Sequence, residues 1–327
     1  PFVGNLADKI SKYKLSFIGG GLMVLACLGY VFAFNPMIVA VSRIVNGVGF
    51  ACCSVCMSTW MSNMLPKEKI GSGMGIYGMM NALAMAMAPA LGIFLYRSFG
   101  YRVAFISALV ISLMMVFVVQ FVHDKGNPSE SIEKNIGAKQ KWSIVDKSVL
   151  PVAFIIMLFA IPYCATQSFL VSYVSMKNLS VSVGMFFPLY ALVLLILRFM
   201  MKGLFDKLPF KTFIFTSSLS AFMGLFFLSV MNSDFFMFLA ALFMAGGYGI
   251  MSSVCQSTAI LLAGKNKRGL ANSTYYIGLD LGMTLGPVIG GVLYGNFGIS
   301  LFYPMLMFTI PLAVVVYYVG KNSGILK

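Results

Sequence analysis

The sequence predicts an all-α integral membrane protein made of two related halves, and three observations support this fold class. Of its 327 residues, 60% are hydrophobic and only 10% are charged, whereas a soluble domain has about 25% charged residues. Apolar stretches that are long enough, or nearly so, to cross a hydrocarbon core about 30 Å thick follow one another along the chain. One pattern of residues also occurs twice, 198 positions apart, as Lys67 and Lys265 are.

The repeat links residues 67–100 to residues 265–298 without a gap. At the offset of 198 residues, identical pairs include Lys67 and Lys265, Gly71 and Gly269, Tyr77 and Tyr275, Pro89 and Pro287, Gly92 and Gly290, and Gly100 and Gly298. The same offset pairs Asp8 with Asp206 and Gly49 with Gly247. We therefore predict two related halves in the same order. Same-orientation repeats in an apolar chain are typical of one class of secondary transporter.

Ten apolar segments are predicted to cross the membrane as helices, at about residues 15–34, 37–62, 71–96, 101–122, 149–172, 181–202, 211–231, 235–262, 270–294 and 301–319. None of them alternates apolar and polar residues as a membrane β-strand would. Two spans precede Asp206 in the second half, but only seven residues precede Asp8 in the first. The repeat thus predicts that span 1 and most of span 2 are missing from a protein of twelve spans, so the ten are numbered 3 to 12.

The basic residues predict the orientation of the spans. With the loop of Lys9, Lys12 and Lys14 inside, three of the 23 Lys and Arg residues fall outside and two lie within spans, so 18 are inside. This bias is typical of a protein of the cytoplasmic membrane. We expect cytoplasmic positions for the C-terminus and for loops 9–14, 63–70, 123–147, 202–211 and 263–269. Segment 123–147 is polar and mixed in charge, which favours a linker.

Composition and spacing argue against several classes of protein. The net charge of +14 is spread over short loops, with no basic run that alternates with exposed aromatic residues, so no nucleic acid is expected as a partner. The cysteines lie inside apolar stretches, which favours buried thiols over disulfides; they are residues 27, 52, 53, 56, 164 and 255. The sequence has no metal constellation, nucleophile–base pair or phosphate loop. We therefore expect no enzyme activity, no cofactor and no metal.

Asp280 is the only acidic residue within a predicted span, where a charge costs about 2.5–3.5 kcal/mol. It lies about ten residues, or roughly 15 Å, into span 11, on one helix face with Asn272, Tyr276 and Thr284. Ala82 occupies its position in the first half. Because burial favours the neutral form of a carboxyl group, Asp280 is a candidate for proton coupling or for binding a cationic substrate. A hydrogen bond to a neighbouring span, purely for packing, is the alternative.

Two arginines also lie within spans. Arg43 is about seven residues into span 4, on one face with Asn46 and Gly47, and is a candidate anion anchor or charge partner of a proton site. The alternative for Arg43 is that its long side chain reaches out to the membrane surface. Arg198 lies only a few residues from the inner end of span 8, so we predict that its side chain extends to that surface.

Polar residues in spans 4, 7, 10 and 11 predict faces that line a water-filled cavity. The candidates are Asn46, Tyr163, Gln167, Tyr248, Ser252, Gln256 and Tyr276. Several recur every four residues, which places them on one side of a helix. The alternative is hydrogen bonding between helices, worth only about 0.6 kcal/mol on average.

Small residues mark span 11 as a closely packed helix. Gly282, Gly286 and Gly290 recur every four residues, which lets another helix approach closely. Pro287 removes a backbone donor and bends a helix. A bent and closely packed helix suits a gate, and static packing is the alternative.

Several motifs resemble those of the major facilitator superfamily. Residues 4–14, GNLADKISKYK, match the loop between spans 2 and 3 of that family at Gly4, Asp8, Lys9 and Lys12, and Asp206 and Lys207 form a weaker second copy. Residues 43–49, RIVNGVG, resemble its span-4 pattern, with Asn46 in place of Gln. The antiporter motif Gly-x-x-x-Gly-Pro-x-x-Gly-Gly is complete in span 11, from Gly282 to Gly291, whereas span 5 has only Ala88-Pro89-x-x-Gly92. The motifs lean modestly to the drug:proton antiporter branch.

The resemblance implies a major facilitator fold of two six-helix bundles around a central cavity. The chain would hold an incomplete N-terminal bundle (1–122, spans 3–6), the linker (123–147) and a C-terminal bundle (148–327, spans 7–12). Spans 1, 4, 7 and 10 would line the cavity, and spans 2, 5, 8 and 11 would form the interface, where Pro89, Gly92 and the span-11 glycines lie. Asp8 and Lys9 would latch the cytoplasmic side, Asp8 by accepting hydrogen bonds from a helix N-terminus. The basic residues would hold the loop at the membrane surface.

We therefore expect a monomeric secondary transporter in the lipid bilayer that moves a small molecule by alternating access. Proton-coupled efflux of amphipathic or drug-like compounds is the first interpretation. An importer or exchanger of a small metabolite is the alternative within transport. A transporter-like sensor that binds without translocating is the alternative from another class.

Overall fold

The structure is a computed structural model that describes residues 2–128, 143–201 and 203–326, apart from the side chains of residues 85, 86, 89, 90 and 265. Those residues form helices, turns and loops, and none of them lies in a β-strand. The all-α fold predicted from the sequence is confirmed. Residues 129–142 of segment 123–147 lie outside the described part of the chain, and they include Lys134, Lys139 and Lys141. Lys202 also lies outside it.

The described residues of the first half form four helices: α1 (Phe2–Lys9), α2 (Lys12–Val31), α3 (Pro36–Met64) and α4 (Ile70–Val119). Ser11 caps α2, since its side chain accepts a hydrogen bond from the Lys14 N–H, as is usual for serine at this position. A 3₁₀ turn, Lys67–Lys69, precedes α4. These caps and turns set the positions at which the long apolar helices begin.

The helix α4 is broken at Gly100, which has a φ of 81° and a ψ of 172°. A straight helix of 50 residues would be about 75 Å long, more than twice the thickness of a hydrocarbon core. The break lies between the predicted spans 71–96 and 101–122. It divides α4 into two segments, one for each predicted span. Only glycine adopts this backbone conformation readily.

In the second half, the part of the chain that the structure describes forms eight helices: α5 (Leu150–Met176), α6 (Phe186–Met201), α7 (Phe210–Ser229), α8 (Asp234–Met244), α9 (Ile250–Ala263), α10 (Arg268–Asn296), α11 (Phe302–Met307) and α12 (Thr309–Asn322). A π-helical turn, Ala245–Gly249, joins α8 to α9. Nine stretches of the described residues are long and apolar enough to cross a membrane. One of them, Leu91–Val119, lies in the second part of α4. The ten predicted spans therefore correspond to these nine stretches and to the first part of α4.

The repeat is visible in where the helices begin and end. Starts that lie 198 residues apart are Lys12 and Phe210 (α2 and α7), Pro36 and Asp234 (α3 and α8), and Ile70 and Arg268 (α4 and α10). The ends of α2 and α7, Val31 and Ser229, and the 3₁₀ turns that begin at Lys67 and Lys265 follow the same offset. The predicted repeat is therefore confirmed at the level of secondary structure.

The chain forms two compact units. Unit one comprises Pro1–Met64, Met87–Val145 and Gly264–Ser273, and unit two comprises Leu65–Ala86, Asp146–Ala263 and Thr274–Lys327. The first turns of α10 thus belong to unit one, and the first turns of α4 belong to unit two. The division into bundles 1–122 and 148–327 stays a prediction.

Glycines bring equivalent helices together in each unit. In unit one, a Cβ on Gly49 would lie 2.7 Å from the carbonyl oxygen of Gly19, so α2 and α3 touch through their backbones. In unit two, a Cβ on Gly247, the repeat equivalent of Gly49, would lie 2.6 Å from the Cβ of Ala221 in α7. Such close approach is what small residues allow in membrane helices.

Candidate functional site

Asp8, in the last turn of α1, caps the start of α10. Its Oδ1 accepts a hydrogen bond from the Gly269 N–H at 2.7 Å, and its Oδ2 accepts one from the Leu270 N–H at 3.0 Å. These N–H groups have no partner within the helix, and the helix dipole favours a negative charge there. Asp8 thus makes the contact with a helix N-terminus that its motif implies. We call this arrangement the Asp8 cap.

Asp206 makes the equivalent contact in unit two. Its Oδ1 accepts a hydrogen bond from the Ser72 N–H, in the first turn of α4, at 2.9 Å. A Cβ on Gly71 would lie 2.5 Å from the Phe205 carbonyl oxygen and 2.7 Å from Asp206 Oδ1. A side chain at position 71 would therefore push Asp206 away. We call this second arrangement the Asp206 cap.

Glycine is needed at the Asp8 cap for the same reason. A Cβ on Gly269, the repeat equivalent of Gly71, would lie 2.5 Å from the Gly4 carbonyl oxygen and 2.8 Å from Asp8 Oδ1. A Cβ on Gly4 would lie 2.7 Å from the Gly269 carbonyl oxygen. Gly4 and Gly269 thus let α1 and the start of α10 touch, and the pair of caps follows the repeat.

Two further hydrogen bonds tie α10 to α3 within unit one. The Arg268 guanidinium, which is 3% exposed, donates to the carbonyl oxygen of Ser62 in the last turn of α3. A cation is favoured at that end of a helix. One turn further along α10, Asn272 Nδ2 donates to Thr59 Oγ1 at 3.1 Å. Arg268 was not among the predicted site residues. The repeat offered a signal for it, because the equivalent residue, Ile70, is apolar.

The lysines of the first motif have different environments. Lys12 is 3% exposed, and its backbone N–H donates to the Gly126 carbonyl oxygen at 3.0 Å. The expectation that Lys12 lies at the membrane surface is therefore wrong, because the turn at Gly126 covers it. Lys9 is half-buried, and Lys207, in the second motif, is exposed.

Three tyrosines from α5, α6 and the π turn form an aromatic cluster in unit two. The rings of Tyr163 and Tyr248 stack with centroids 4.3 Å apart and an interplanar angle of 18°. The centroids of Tyr163 and Tyr190 are 5.1 Å apart. All three side chains are buried. Tyr163 and Tyr248 were cavity candidates, and Tyr190 was not predicted. We call these three residues the tyrosine cluster.

Arg198 lies beside this cluster and does not extend to the surface. It is only 4% exposed, and its Nη2 donates to the Gly249 carbonyl oxygen at 2.7 Å and to Ser252 Oγ at 3.1 Å. The prediction that it reaches the membrane surface is wrong. The cause is the π turn, which offsets the backbone ladder and ends at the carbonyl group that accepts this hydrogen bond. An arginine near a helix end is compatible with either position, so the sequence did not distinguish them.

Hydrogen bonds connect the polar candidates of α9 and α10. Gln256 Nε2 donates to the Tyr276 hydroxyl at 3.2 Å, and the Tyr275 hydroxyl donates to the Ser252 carbonyl oxygen at 2.9 Å. Unit two thus brings together five of the seven cavity candidates: Tyr163, Tyr248, Ser252, Gln256 and Tyr276. Gln167 is exposed on α5, away from this network, and Asn46 is half-buried in unit one.

The two proton-coupling candidates are both exposed. Asp280 lies on α10 in unit two, where Thr284 Oγ1 donates to its carbonyl oxygen at 2.8 Å. Asn272, on the same face two turns earlier, is fully buried in unit one. Arg43 is exposed on α3 in unit one. The polar face of α10 therefore passes from a buried start to an exposed middle.

The glycines of α10 pack against α5 within unit two. A Cβ would lie 2.6 Å from the Met157 carbonyl oxygen at Gly282 and 2.7 Å from that of Ile161 at Gly286. At Gly290 it would lie 2.9 Å from the Phe169 ring. This contact is the close packing that the spacing predicts, and it is common to a gate and to static packing. Pro287 lies within the same helix.

The equivalent positions of α4 are different. A Cβ on Gly92, the repeat equivalent of Gly290, would meet no atom of the described residues within 4 Å. Pro89 lies within α4, and its side chain is outside the described part of the chain. The predicted interface role of Gly92 stays a prediction.

Comparison with known proteins assigns the chain to a family. The family model described as the Major Facilitator Superfamily matches residues 1–234 and 206–324. MJ1560, an uncharacterized MFS-type transporter of Methanocaldococcus jannaschii, is 25% identical over 96% of this chain and 83% of its own length. The multi-drug resistance efflux pump PmrA of Streptococcus pneumoniae is 26% identical over 50% of this chain and 41% of its own length.

A solved structure shares the fold. The proton:xylose symporter XylE superposes with a TM-score of 0.73 at 13% sequence identity, over 96% of this chain and 81% of XylE. At this identity the likeness concerns the fold alone. Together with the family match over nearly the whole chain, it shows that the protein belongs to the major facilitator superfamily, whose members are multi-pass membrane carriers of small molecules and not enzymes.

Proposed function

We propose that the protein is a proton-coupled transporter that exports small amphipathic or drug-like compounds across the cytoplasmic membrane by alternating access. The observation that carries this proposal is the pair of aspartate caps. Asp8 holds the start of α10 and Asp206 holds the start of α4, at positions related by the repeat. Each cap is made of hydrogen bonds to backbone N–H groups, which can break and form again.

The strength of the caps suits a reversible latch. A hydrogen bond to a charged group contributes about 1.5–3 kcal/mol, and the two caps make three such bonds. Moving a two-state equilibrium from one dominant state to the other takes about 5.5 kcal/mol. Together the caps are therefore of the strength needed to move the protein from one state to the other. The basic loops beside them support a cytoplasmic position.

Asp280 is the proposed proton site because it lies on the helix that the Asp8 cap holds. Asp280 is eleven residues beyond Gly269, or about 16 Å along α10. A change of charge at Asp280 and a change at the cap therefore act on the same helix. Its repeat equivalent is Ala82, so the helix does not need a carboxyl group at this position. In an exporter, a proton that enters from outside neutralises Asp280, and its release inside restores the charge, so protons and the exported compound can move in opposite directions.

The apolar and aromatic surroundings of the polar network support an amphipathic substrate. The tyrosine cluster offers flat ring faces, and Ser252 and Gln256 offer polar groups beside them. Ligand sites of this kind combine many apolar contacts with a few polar ones. The relationship to the multi-drug resistance efflux pump PmrA supports the direction and the breadth of transport.

The test is transport by the full-length protein in proteoliposomes that contain a pH-sensitive dye. An inward-directed concentration gradient of an amphipathic compound is combined with an outward-directed proton gradient. The internal pH is then followed with the dye. We expect compounds of this class to speed the decay of the proton gradient, and a variant that lacks Asp280 to lose the effect. Compound flux that is the same with and without the proton gradient would contradict the proposed coupling.

A further inference from the structure

Arg198 keeps unused hydrogen-bonding capacity deep in unit two. Its Nη2 bonds to Gly249 and Ser252, but its Nε and Nη1 have no hydrogen-bond partner among the described residues. Arginine is always charged in proteins, and a buried charge is normally paired. The bonds through Nη2 account for a role in holding the π turn. They leave unexplained why this buried cation has two further donors, Nε and Nη1, without an acceptor among the described residues.

A third unpartnered polar atom lies at the same place. Ser253 Oγ is buried and has no hydrogen-bond partner in the part of the chain that the structure describes. A Cβ on Gly78 of α4 would lie 2.5 Å from Ser253 Oγ and 2.6 Å from Arg198 Nη1. Both groups therefore converge on Gly78, where α4 carries no side chain. Two guanidinium nitrogens and a hydroxyl group in one small region are the donors that bind a carboxylate, sulfonate or phosphate.

The tyrosine cluster is next to this point. A Cβ on Gly249 would lie 3.0 Å from the Tyr190 hydroxyl, and the carbonyl oxygen of Gly249 accepts the bond from Arg198. Aromatic faces and a cation with free donors thus adjoin each other. A π-bulge such as Ala245–Gly249 occurs frequently at functional sites. The combination fits a ligand with an aromatic body and an oxyanion group.

We propose that Arg198 and Ser253 form an oxyanion-binding site beside the tyrosine cluster, and that the transported compounds are amphipathic anions. This inference rests on the proposed transport function and narrows its substrate class. Gly78 covers the site in this conformation. The Asp206 cap holds Ser72, six residues or about 9 Å earlier on the same helix. Breaking that cap frees the start of α4 to move away from Arg198 and opens the site.

The experiment measures equilibrium binding of two related dyes to the full-length protein in lipid nanodiscs, by fluorescence anisotropy. Fluorescein carries a carboxylate, and a cationic rhodamine ester has a similar ring system with the opposite charge. Arg198→Gln should weaken fluorescein binding roughly 10- to 100-fold, as expected for the loss of a charged hydrogen-bond donor. It should leave rhodamine binding unchanged or stronger. Arg198→Lys keeps the charge without the paired donors, so it should recover part of the affinity.

Two controls keep the result interpretable. Arg97→Gln removes an exposed arginine and should change neither affinity, and empty nanodiscs report dye in the lipid. Ser253→Ala removes one hydroxyl group and should weaken fluorescein binding less than Arg198→Gln does. If Arg198→Gln does not fold, the fluorescein affinities of Arg198→Lys and Ser253→Ala still test the proposal, because both variants should bind fluorescein more weakly than the wild-type protein.

Several outcomes overturn the proposal. Fluorescein binding that is equal in the wild-type protein and in Arg198→Gln would do so. So would equal losses for both dyes, which would indicate a purely structural role for Arg198. A wild-type protein that binds neither fluorescein nor a panel of aromatic carboxylates would also refute it. Binding that depends on Arg198 without any flux in proteoliposomes would instead keep the site and reject the proposed transport function.

Discussion

The starts of α4 and α10 are equivalent by the repeat, but different chemistry holds them. In unit one, Arg268 of α10 donates to the Ser62 carbonyl oxygen of α3. In unit two, Ile70 occupies the position of Arg268, and Ile260 occupies that of Ser62. These two isoleucines are fully buried in one apolar cluster with Met74.

The next turn repeats the contrast. Asn272 of α10 bonds to Thr59, whereas Met74, its equivalent in α4, packs against Ile70 and Ile260. The contact between helices is thus kept at the same position in both halves, while its chemistry has changed from polar to apolar. Glycine at 71 and at 269 fixes how closely the backbones approach. The side chains around them were then free to diverge.

The largest expected effect comes from exchanging the two chemistries. Ile70→Arg places a charge in a fully buried apolar cluster, where it displaces the isoleucine packing and loses its contact with water. We expect a loss of several kcal/mol and little folded protein, measured by size-exclusion chromatography of a fluorescent fusion.

Arg268→Ile is the matched change in the other half, and it leaves one carbonyl group without its donor at a helix end. We expect it to fold with a loss of about 1–3 kcal/mol, measured as a lower melting temperature. Equal expression and melting of the two variants would contradict the comparison, because the two sites would then tolerate either chemistry.

A second large effect is expected where the halves differ in charge. Asp280→Asn removes the carboxyl group that Ala82 shows to be dispensable for the helix. It should insert and fold normally but lose transport against a concentration gradient driven by pH, while passive exchange of substrate continues. Uptake into inverted vesicles with an imposed pH gradient measures this loss.

The matched control for Asp280→Asn is Glu68→Gln, which removes an exposed acid before α4 and should transport like the wild-type protein. If Asp280→Asn accumulates substrate as well as the wild-type protein with the same pH dependence, the coupling role is refuted. Asp280 is then a packing residue.

An intermediate effect is expected from the caps. Asp8 uses both carboxylate oxygens for two N–H groups, whereas Asp206 uses one oxygen for the Ser72 N–H. An asparagine side chain offers one acceptor oxygen, so Asp8→Asn loses a hydrogen bond and a charge, and Asp206→Asn loses mainly the charge. We expect Asp8→Asn to shift the conformational equilibrium roughly tenfold or more and Asp206→Asn less, measured by spin-label distances. The opposite order would contradict the assignment of strengths.

The smallest expected effect separates Gly92 from Gly290. Gly290→Ala places a methyl group about 2.9 Å from the Phe169 ring, so the ring must move. We expect it to destabilise the protein by about 1 kcal/mol. Gly92→Ala meets no atom of the described residues and should be neutral or stabilise the helix by up to about 1 kcal/mol. Thermal melting in detergent measures both changes, and equal melting temperatures would show that α10 does not depend on its contact with α5.

The features that could be predicted are those that depend on length, spacing and repetition. Hydrophobic length placed the helices, and the offset of 198 residues placed their starts, because the backbone geometry of a membrane helix leaves few alternatives. The Asp8 contact followed from its motif. The glycines of α10 predicted close packing, but spacing alone names no partner, and only the structure identifies α5.

The features that were missed depend on local backbone irregularity. The π turn at Ala245–Gly249 has no strong signal in the sequence beyond its glycines. It is this turn that offers Arg198 an internal acceptor and turns it away from the surface. Lys12 was misplaced for a similar reason, since the turn at Gly126 that covers it belongs to a segment far along the chain. Tyr190 was overlooked because its neighbours in the cluster come from two other helices.

The Asp8 cap also has a consequence for biosynthesis. The carboxylate of Asp8 and the N–H group of Gly269 are separated by 261 residues of chain. At a synthesis rate of about 5–20 residues per second, the helix that Asp8 holds emerges roughly 13 to 50 s after Asp8 itself. During that interval the aspartate must remain in contact with water, lipid head groups or the insertion machinery. Chains that stop before Gly269 lack this contact altogether, so the cap distinguishes finished from unfinished molecules.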